Sequence, residues 1–323
     1  MRDGDPHDSP ANPPSPTALE ADTLGPSRLK LALAFAAVYL IWGSTYLGIR
    51  VAVRSLPPFL MAGTRYGSAG ALLYAVLRWR GARAATWTEW RRAAFAGMML
   101  LSLGNGLVSW AETRVPSHLA ALSIAAVPSY VALMDWLRPG GTRPPRHVLA
   151  GVALGALGML LLLRPDPHGI GADRWLPLFG LVLAGAAWAF GSLYTRYQTL
   201  HPHAALAGAQ QMLVGGALLI LIGLLHGELG ALHPSTVSGR SLLAFGYLTL
   251  FGSIVAFSAF NWLIGVVSPA RVSTSAYVNP VVAVLLGWLI LGEPLSPVSL
   301  LGGGLILCAV LVMTLRRAPA RNS

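Results

Sequence analysis

One arginine in an otherwise uncharged apolar segment is the side chain best suited to binding chemistry in this sequence. Residues 55–77 contain Arg65 and no other charged residue. Eight residues of helix would place Arg65 about 12 Å from Pro57, at a depth where a charge needs a partner or a function. A guanidinium can hold a carboxylate through two parallel hydrogen bonds, so Arg65 is the first candidate for a residue that anchors an acidic group of a substrate. A structural role, in which the side chain reaches a neighbouring carbonyl or the membrane surface, is the alternative.

Aromatic and hydroxyl side chains recur at short spacing in two places. Trp42 and Tyr46 are four residues apart and share one face of a helix, with Ser44 between them in the chain. Phe190 and Tyr194 have the same spacing. Two such faces suit the walls of a cavity for a flat or amphipathic solute. Helix packing or an interfacial aromatic belt is the alternative.

Further polar residues lie within apolar segments, where each needs a partner, a cavity or a function. We take them as candidate substrate contacts, and hydrogen bonding between helices is the alternative for each. They are Asn105, Ser123, Gln210, Ser275, Tyr277 and Asn279. Pro128 and Pro280 each free a backbone carbonyl. We therefore expect helix breaks at these two prolines, close to a transport site.

The sequence offers little for catalysis or for a bound cofactor. The acidic residues of the apolar region lie at helix ends rather than midway, so proton coupling is not indicated; they are Glu112, Asp135 and Glu293. Asp166, His168 and Asp173 share a loop but match no compact metal site. Cys308 is the single cysteine, and the Gly-Lys-Ser/Thr sequence of a nucleotide-binding P-loop is absent. We expect no catalytic residue, no metal and no cofactor.

Composition places these residues in a membrane protein. Of 323 residues, 54% are hydrophobic and 11% are charged, whereas a soluble domain carries about 25% charged residues. The net charge of +11 could indicate a nucleic-acid partner. However, the arginines lie between apolar segments, as they do in membrane proteins. We expect the lipid bilayer and a small molecule as partners, and no nucleic acid.

Ten apolar segments have the length that a helix needs to cross a bilayer, about 17–25 residues. They lie at 31–49, 55–77, 93–111, 115–134, 147–163, 175–195, 204–225, 241–270, 272–292 and 294–315. The run 241–270 is longer than one span and is expected to include a loop near residues 265–269. Residues 1–28, rich in proline and acidic residues, are expected to form a disordered tail. If the N-terminus is cytoplasmic, sixteen Arg and Lys residues fall inside and six outside. This bias predicts that both termini are cytoplasmic.

The chain also contains an internal repeat. A shift of 152 positions superimposes Trp110 on Trp262 and Pro128 on Pro280. With a slightly smaller shift, Trp42 meets Phe190, Tyr46 meets Tyr194 and Arg65 meets Gln210. The two units are residues 29–164 and 175–317, with five helices each. Because five is odd, the second unit must be inverted relative to the first. The predicted fold is therefore an all-α membrane protein with ten transmembrane helices in a 5+5 inverted repeat.

Several short motifs carry a family resemblance. They are Trp42-Gly43-Ser44-Thr45-Tyr46, Ala62-Gly63-Thr64-Arg65-Tyr66, Asn279-Pro280-Val281-Val282-Ala283 and Leu291-Gly292-Glu293-Pro294. As a combination over residues 29–317 they resemble the EamA family of the drug/metabolite transporter superfamily, and within it the YedA-type inner-membrane exporters. This resemblance implies ten helices, both termini cytoplasmic, an inner-membrane location and export of small metabolites through a central cavity.

The expected function is secondary transport: export of a small metabolite, amino acid or drug by alternating access between the two units. A passive channel or facilitator is an alternative, and so is a membrane enzyme that acts on lipid-linked substrates. The enzyme would need a clustered acid, base, nucleophile or metal, whereas the acidic residues here are scattered. Glycines at 151 and 155 and at 302–304 indicate close helix packing, and a homodimer face is the other interpretation.

Overall fold

The computed structural model describes residues 27–141, 143–162, 175–198, 200–267 and 275–314. This part of the chain is helical and contains no strand. The predicted tail, except for its last two residues, and the loop with Asp166, His168 and Asp173 lie outside the described residues. The long helices are α1 (Arg28–Ala52), α2 (Pro58–Trp79), α3 (Trp87–Ala111), α4 (Ser117–Leu137), α5 (Arg146–Leu162), α6 (Trp175–Tyr197), α7 (Ala204–Leu225), α8 (Gly239–Ile264), α9 (Ser275–Leu291) and α10 (Pro297–Thr314).

Six of these helices are long and apolar enough to cross a membrane: α1, α3, α4, α6, α7 and α8. Shorter apolar helices occupy Arg146–Leu162, Val278–Leu291 and Pro297–Met313. The six long helices coincide with six of the segments predicted from the sequence. Helix α2 matches a seventh segment and contains the charged Arg65, which lowers its apolar character.

Local sequence signals define where several helices begin or end. Pro58 occupies the first turn of α2, where its missing N–H is not needed and its fixed φ suits a helix. Thr86 accepts a hydrogen bond from the Glu89 N–H, and the Glu89 carboxylate accepts from the Thr86 N–H, which forms a capping box at the start of α3. Gly292, with φ +63°, follows α9 in the left-handed conformation that glycine adopts at a helix C-terminus.

Helices α2 and α7 pack along each other through small residues. A Cβ on Gly63 would lie 2.9 Å from the Gly216 carbonyl oxygen, and one on Gly70 would lie 2.9 Å from the Ala209 carbonyl oxygen. The contacts therefore run in opposite directions along the two helices, which makes α2 and α7 antiparallel. Glycine is required at such positions because the two backbones nearly touch.

Helices α5 and α10 form a second antiparallel pair of the same kind. A Cβ on Gly151 would lie 2.8 Å from the Ala309 carbonyl oxygen, and one on Gly158 would lie 2.7 Å from the Gly302 carbonyl oxygen. The sequence allows either a packing face or a dimer face for the glycines of these helices. Within the chain Gly151, Gly158 and Gly302 lie at the contact between the two helices, which supports the packing interpretation for these three. A Cβ on Gly304 would have no neighbouring atom within 4 Å in the described structure.

Several other helix contacts also occur in matched sets. Helix α1 packs against α8 and α9, and α6 packs against α3 and α4. Similarly, α2 contacts α8, and α7 contacts α3. Exchange of α1–α5 with α6–α10 converts each of these contacts into its counterpart.

Three of the helices contain a widened π-helical segment: Ala37–Ile41 in α1, Met98–Asn105 in α3 and Leu248–Val255 in α8. Those in α3 and α8 have eight residues each and lie 150 positions apart. A π-helical turn rotates the side chains that follow it and is frequently found at functional sites.

Candidate functional site

Arg65 lies in the interior, between α2 and α8. Its side chain is 2% exposed, and its Nε donates a 2.8 Å hydrogen bond to the Oγ of Ser253. Ser253 belongs to the π-helical segment of α8, and its hydroxyl also bonds the Leu248 carbonyl at 3.2 Å. The irregular segment thus supplies an acceptor for a charge that hydrocarbon could not solvate.

The Arg65 guanidinium retains hydrogen-bonding capacity after this contact. Its Nη1 is buried and has no hydrogen-bond partner among the residues that the structure describes. The guanidinium carbon lies 4.5 Å from the ring centre of Tyr66, within the range of a cation–π interaction. A Cβ on Gly252 would lie 3.0 Å from Nη2, so the absence of a side chain there leaves room for the guanidinium. An additional acceptor on a bound molecule could satisfy Nη1.

Three aromatic rings from both halves of the chain meet next to this arginine. The Trp42 ring lies 6.0 Å from Trp188 in an edge-to-face arrangement and 4.7 Å from Phe260. The Trp42 Nε1 donates to the Gly252 carbonyl at 3.3 Å, which places the indole beside the Arg65 contact. Trp188 in turn lies against Gly104 of the π-helical segment in α3.

Ser44 and Tyr46 extend the aromatic face of α1. The Ser44 hydroxyl lies 2.5 Å from the Tyr247 hydroxyl of α8 and also bonds the Leu40 and Ile41 carbonyls of its own helix. Tyr46 is partly buried against an apolar cluster that includes Met61 and Val108. The two residues therefore join α1 to α8 and to the core respectively.

The structure places Phe190 and Tyr194 on the opposite side of α6 from the central aromatic rings, against Phe95. The Phe95 ring centre lies 6.0 Å from Phe190 and 4.6 Å from Tyr194, and Phe190 is 46% exposed. Trp188, two residues earlier, is the ring that α6 contributes to the Trp42 contact. The sequence repeat pairs Trp42 with Phe190 because it superimposes the Gly-Ser dipeptides that follow the two residues. An alignment with a gap of two residues would have paired Trp42 with Trp188 instead.

Two adjacent amides in α7 are fully buried without partners. Gln210 and Gln211 are each 0% exposed, and no side-chain oxygen or nitrogen of either has a hydrogen-bond partner in the described part of the chain. The side-chain amide oxygen of Asn105, at the end of the π-helical segment in α3, is also buried without a hydrogen-bond partner in the described part of the chain. Buried amides that lack partners in the protein are suited to a polar ligand or to ordered water.

The remaining polar candidates have different surroundings. Ser123 is 1% exposed, and its hydroxyl has no partner within the described ranges. Asn279, with its amide nitrogen oriented toward α1, donates to the Val38 and Tyr39 carbonyls at 3.3 and 3.2 Å. Ser275 is the first described residue of α9 and is partly buried. The side chain of Tyr277 lies outside the described part of the structure.

The two prolines differ in their surroundings. Pro128 follows a turn at Ala125 and Ala126, where α4 is interrupted between Ile124 and Val127. Pro280 lies inside α9, which stays helical through it. The N–H that Pro280 lacks would have bonded Ala276, in the first described turn, so few helical bonds are lost there.

Several residues of this region carry no distinctive signal in the sequence. Ser253, Tyr247 and Phe260 lie in the long uncharged run of α8, where one hydroxyl or ring resembles many others. They become identifiable only through their contacts with Arg65, Ser44 and Trp42.

Comparison with known proteins shows that both halves of the chain match the same family profile. The sequence profile of the EamA-like transporter family matches residues 29–164 and again residues 175–315. The inner membrane transporter YedA of Escherichia coli (strain K12) is 43% identical over 289 residues, which cover 89% of this chain and 91% of YedA.

More distant similarities extend over the same length. The "Probable amino-acid metabolite efflux pump" of Escherichia coli (strain K12) is 25% identical over 298 residues, 86% of this chain and 90% of that protein. A solved crystal structure superimposes with a TM-score of 0.63 at 22% identity and covers 89% of this chain and 98% of its own. At that identity the superposition supports the fold.

Proposed function

Because this chain belongs to the EamA-like family of membrane transporters, we propose that it is a secondary transporter that exports a small metabolite, amino acid or drug. The observation that carries this proposal is the buried Arg65, with Nη1 unpartnered in the described structure, beside aromatic rings from both halves. Such a pairing suits a solute with a carboxylate and a flat apolar part.

We propose that ten helices span the membrane as two inverted five-helix units, residues 29–164 and 175–317. The antiparallel pairs α2/α7 and α5/α10 support this arrangement, because a two-fold axis in the membrane plane makes each helix antiparallel to its mate, and mates close to the axis pack together. The exchange of helix contacts between the halves supports it as well. Alternating access would then come from rocking one unit against the other.

The proposed location is the inner membrane with both termini cytoplasmic. YedA is an inner membrane transporter, and the excess of arginine and lysine in the segments assigned to the inside supports the orientation. The ends of α1, α3, α5, α7 and α9, and the starts of α2, α4, α6, α8 and α10, then face outward.

A transport panel in proteoliposomes tests this function. Purified protein is reconstituted, and uptake of labelled amino acids, other small carboxylates and amphipathic drugs is measured with and without a proton gradient. Substrate-specific uptake with exchange against trapped unlabelled substrate supports a carrier. Flux that does not saturate and shows no such exchange would indicate a passive facilitator. No flux with any compound would contradict the proposal.

Substitution of Arg65 by lysine tests the carboxylate anchor. An ammonium group cannot reproduce the bidentate fork. Loss of one charged hydrogen bond, worth about 1.5–3 kcal/mol, would weaken the binding of an acidic substrate roughly 10- to 150-fold. Arg78→Lys near the end of the same helix is the matched control and should leave affinity unchanged. Unchanged affinity in Arg65→Lys together with a lower melting temperature in detergent would make Arg65 structural.

A further inference from the structure

At one end of the molecule, a carboxylate of the second half caps a helix of the first half. Glu293, between α9 and α10, accepts hydrogen bonds from the Ser117 N–H at 2.8 Å, the Ser117 hydroxyl at 2.9 Å and the His118 N–H at 3.2 Å. Its Oε2 also lies 2.9 Å from the His118 Nδ1. Glu293 is 8% exposed. A carboxylate at the N-terminus of α4 satisfies otherwise unpaired N–H groups and the positive end of the helix dipole.

Glu228 makes an equivalent contact at the same end. It follows α7, and its carboxylate accepts from the Phe59 N–H at 3.2 Å and the Leu60 N–H at 2.8 Å, in the first turn of α2. We call the two contacts, Glu293 with α4 and Glu228 with α2, the clasps. Both connect the second half to the first half, so relative rocking of the halves that opens this end has to break them.

A third carboxylic acid, Glu112, lies buried at this end. It follows α3, its side chain is 0% exposed, and neither carboxyl oxygen has a hydrogen-bond partner among the residues that the structure describes. The Arg50 guanidinium donates to the backbone carbonyl of Glu112 rather than to its carboxyl group. An ionised carboxylate in this position would be buried without the hydrogen bonds that compensate its lost hydration.

Three charged or titratable groups act on the Glu112 carboxyl: Arg50 and Tyr46 of α1 and Glu293 of the loop before α10. Two others lie next to these partners or in the same loop: His118 of α4 contacts Glu293, and Arg114 follows Glu112 and stacks on Trp110. Burial raises the pKa of the Glu112 carboxyl well above its ordinary value; the nearby Glu293 charge adds to this rise, and Arg50 opposes it. Burial also acts to raise the pKa of Glu293, but the hydrogen bonds from His118 and Ser117 prevail and lower it to about 2.

We propose that Glu112 is a proton-binding site of this end: it carries a proton while the clasps are closed and releases it when they open. Opening hydrates the Glu112 carboxyl, which then ionises as an ordinary exposed acid does. The inference rests on the proposed function in one respect: the rocking of the two halves gives the opening its role, and the proposed orientation places this end outside.

Thermodynamic linkage then makes external pH a regulator of the outer gate. A state that binds one more proton than its alternative gains in population by up to about tenfold for each unit that the pH falls. Acid outside the cell would therefore favour closed clasps, and alkaline conditions would favour their opening.

The test measures clasp opening directly, without a transported substrate. Spin labels are attached to cysteines that replace Thr113 and Val298 in a Cys308→Ser background, because these positions lie on either side of the Glu293 clasp. Interspin distances are recorded between roughly pH 5 and 9. We expect a second, longer distance to gain population as pH rises, by up to about tenfold per unit. We expect Glu112→Gln, which mimics the protonated acid, to keep the shorter distance at every pH.

Two further variants identify the titrating group. Glu89→Gln, which changes the same residue type at the other end of α3, should leave the pH dependence intact. His118→Gln should also retain it. Loss of the pH dependence in His118→Gln with retention in Glu112→Gln would overturn the proposal, and so would a wild-type distance distribution that does not change with pH.

An infrared measurement separates this inference from the transport function. At neutral pH, wild-type protein should show the band of a protonated carboxyl group that Glu112→Gln lacks. Absence of that band would disprove the protonated Glu112 even if transport is found. Presence of the band together with the pH-dependent distance would support the site even if the panel identifies no substrate.

Discussion

A buried guanidinium requires acceptors, and Ser253 supplies one of them to Arg65. The remaining Nη1 has none in the described structure, so the arginine is both held in place and available for binding. The sequence leaves anchor and structural roles as alternatives. The geometry allows both roles in one side chain.

Replacement of Ser253 by alanine tests how strongly that contact holds Arg65. The change leaves the buried Nε without an acceptor, and we expect a loss of about 1–3 kcal/mol in unfolding free energy. Ser258→Ala is the matched control in the same helix, because the Ser258 hydroxyl is buried without a partner in the described residues. The control should be neutral or slightly stabilising. Denaturant unfolding in detergent compares the two, and equal effects would refute a specific Arg65 contact.

Glu293 predicts a pH dependence of stability. Its pKa falls from 4.5 to about 2 in the folded protein. The ionised group therefore stabilises the fold above the unfolded pKa near 4.5, and this contribution is lost as pH falls towards about 2. We expect Glu293→Gln to cost about 1.5–3 kcal/mol at neutral pH and to show a flatter stability profile in acid. The unfolding free energy of wild type and of Glu293→Gln is measured in detergent at a series of acidic pH values. Parallel curves for the two proteins would contradict the stabilising role of ionised Glu293.

At the scale of elements, glycines determine how closely paired helices approach. The α5/α10 pair depends on contacts such as that of Gly158 with the Gly302 carbonyl. A side chain there forces two backbones apart, whereas Gly304 of α10 faces open space in the described structure. The same residue type therefore has opposite consequences according to its face.

Alanine at Gly158 and at Gly304 makes this contrast measurable. At Gly158 a Cβ would lie 2.7 Å from a backbone oxygen, so the helices must separate and the melting temperature should fall. A Cβ on Gly304 would have no neighbouring atom within 4 Å in the described structure. There alanine should be neutral or stabilise by about 0.5–1 kcal/mol through its helix propensity. An equal decrease in melting temperature for the two variants would show that close packing of the glycine does not determine the effect of alanine on stability.

The proposed inverted repeat does not make the two ends of the molecule chemically equal. The loops that correspond to those of Glu228 and Glu293 at the opposite end are residues 80–86 and 138–145. They contain arginines but no Asp or Glu. The clasps formed by Glu228 and Glu293 therefore have no counterpart in these two loops. The two gates are expected to differ in strength and in their response to pH.

At the scale of the whole molecule, cysteine accessibility tests the orientation. Single cysteines at Ser9, Ser235 and Ser323 in a Cys308→Ser background are treated with an impermeant reagent on intact cells. Both termini should be protected and position 235 should react, because the arginine bias predicts that the termini are inside. Reaction at Ser9 or Ser323, or protection at Ser235, would reverse the assignment. Reaction at all three positions after cell lysis is the control for reactivity.

The sequence alone determined the class of the molecule and its family. Apolar segments of spanning length, few charges and matched motifs in two halves are properties of composition and spacing, so they can be read without coordinates. Arg65 could be selected as a candidate binding residue for the same reason, because it is the single charged residue of an apolar segment.

Tertiary structure decided which side chains meet. Trp188 rather than Phe190 contacts Trp42, and Ser253 holds Arg65, because helix rotation and a π-helical turn set the direction of each side chain. Glu112 and Glu293 looked alike as acids at helix ends, yet one is buried without a partner in the described residues and the other caps a helix. Sequence spacing specifies position along a helix, whereas partners across helices depend on packing between segments far apart in the chain.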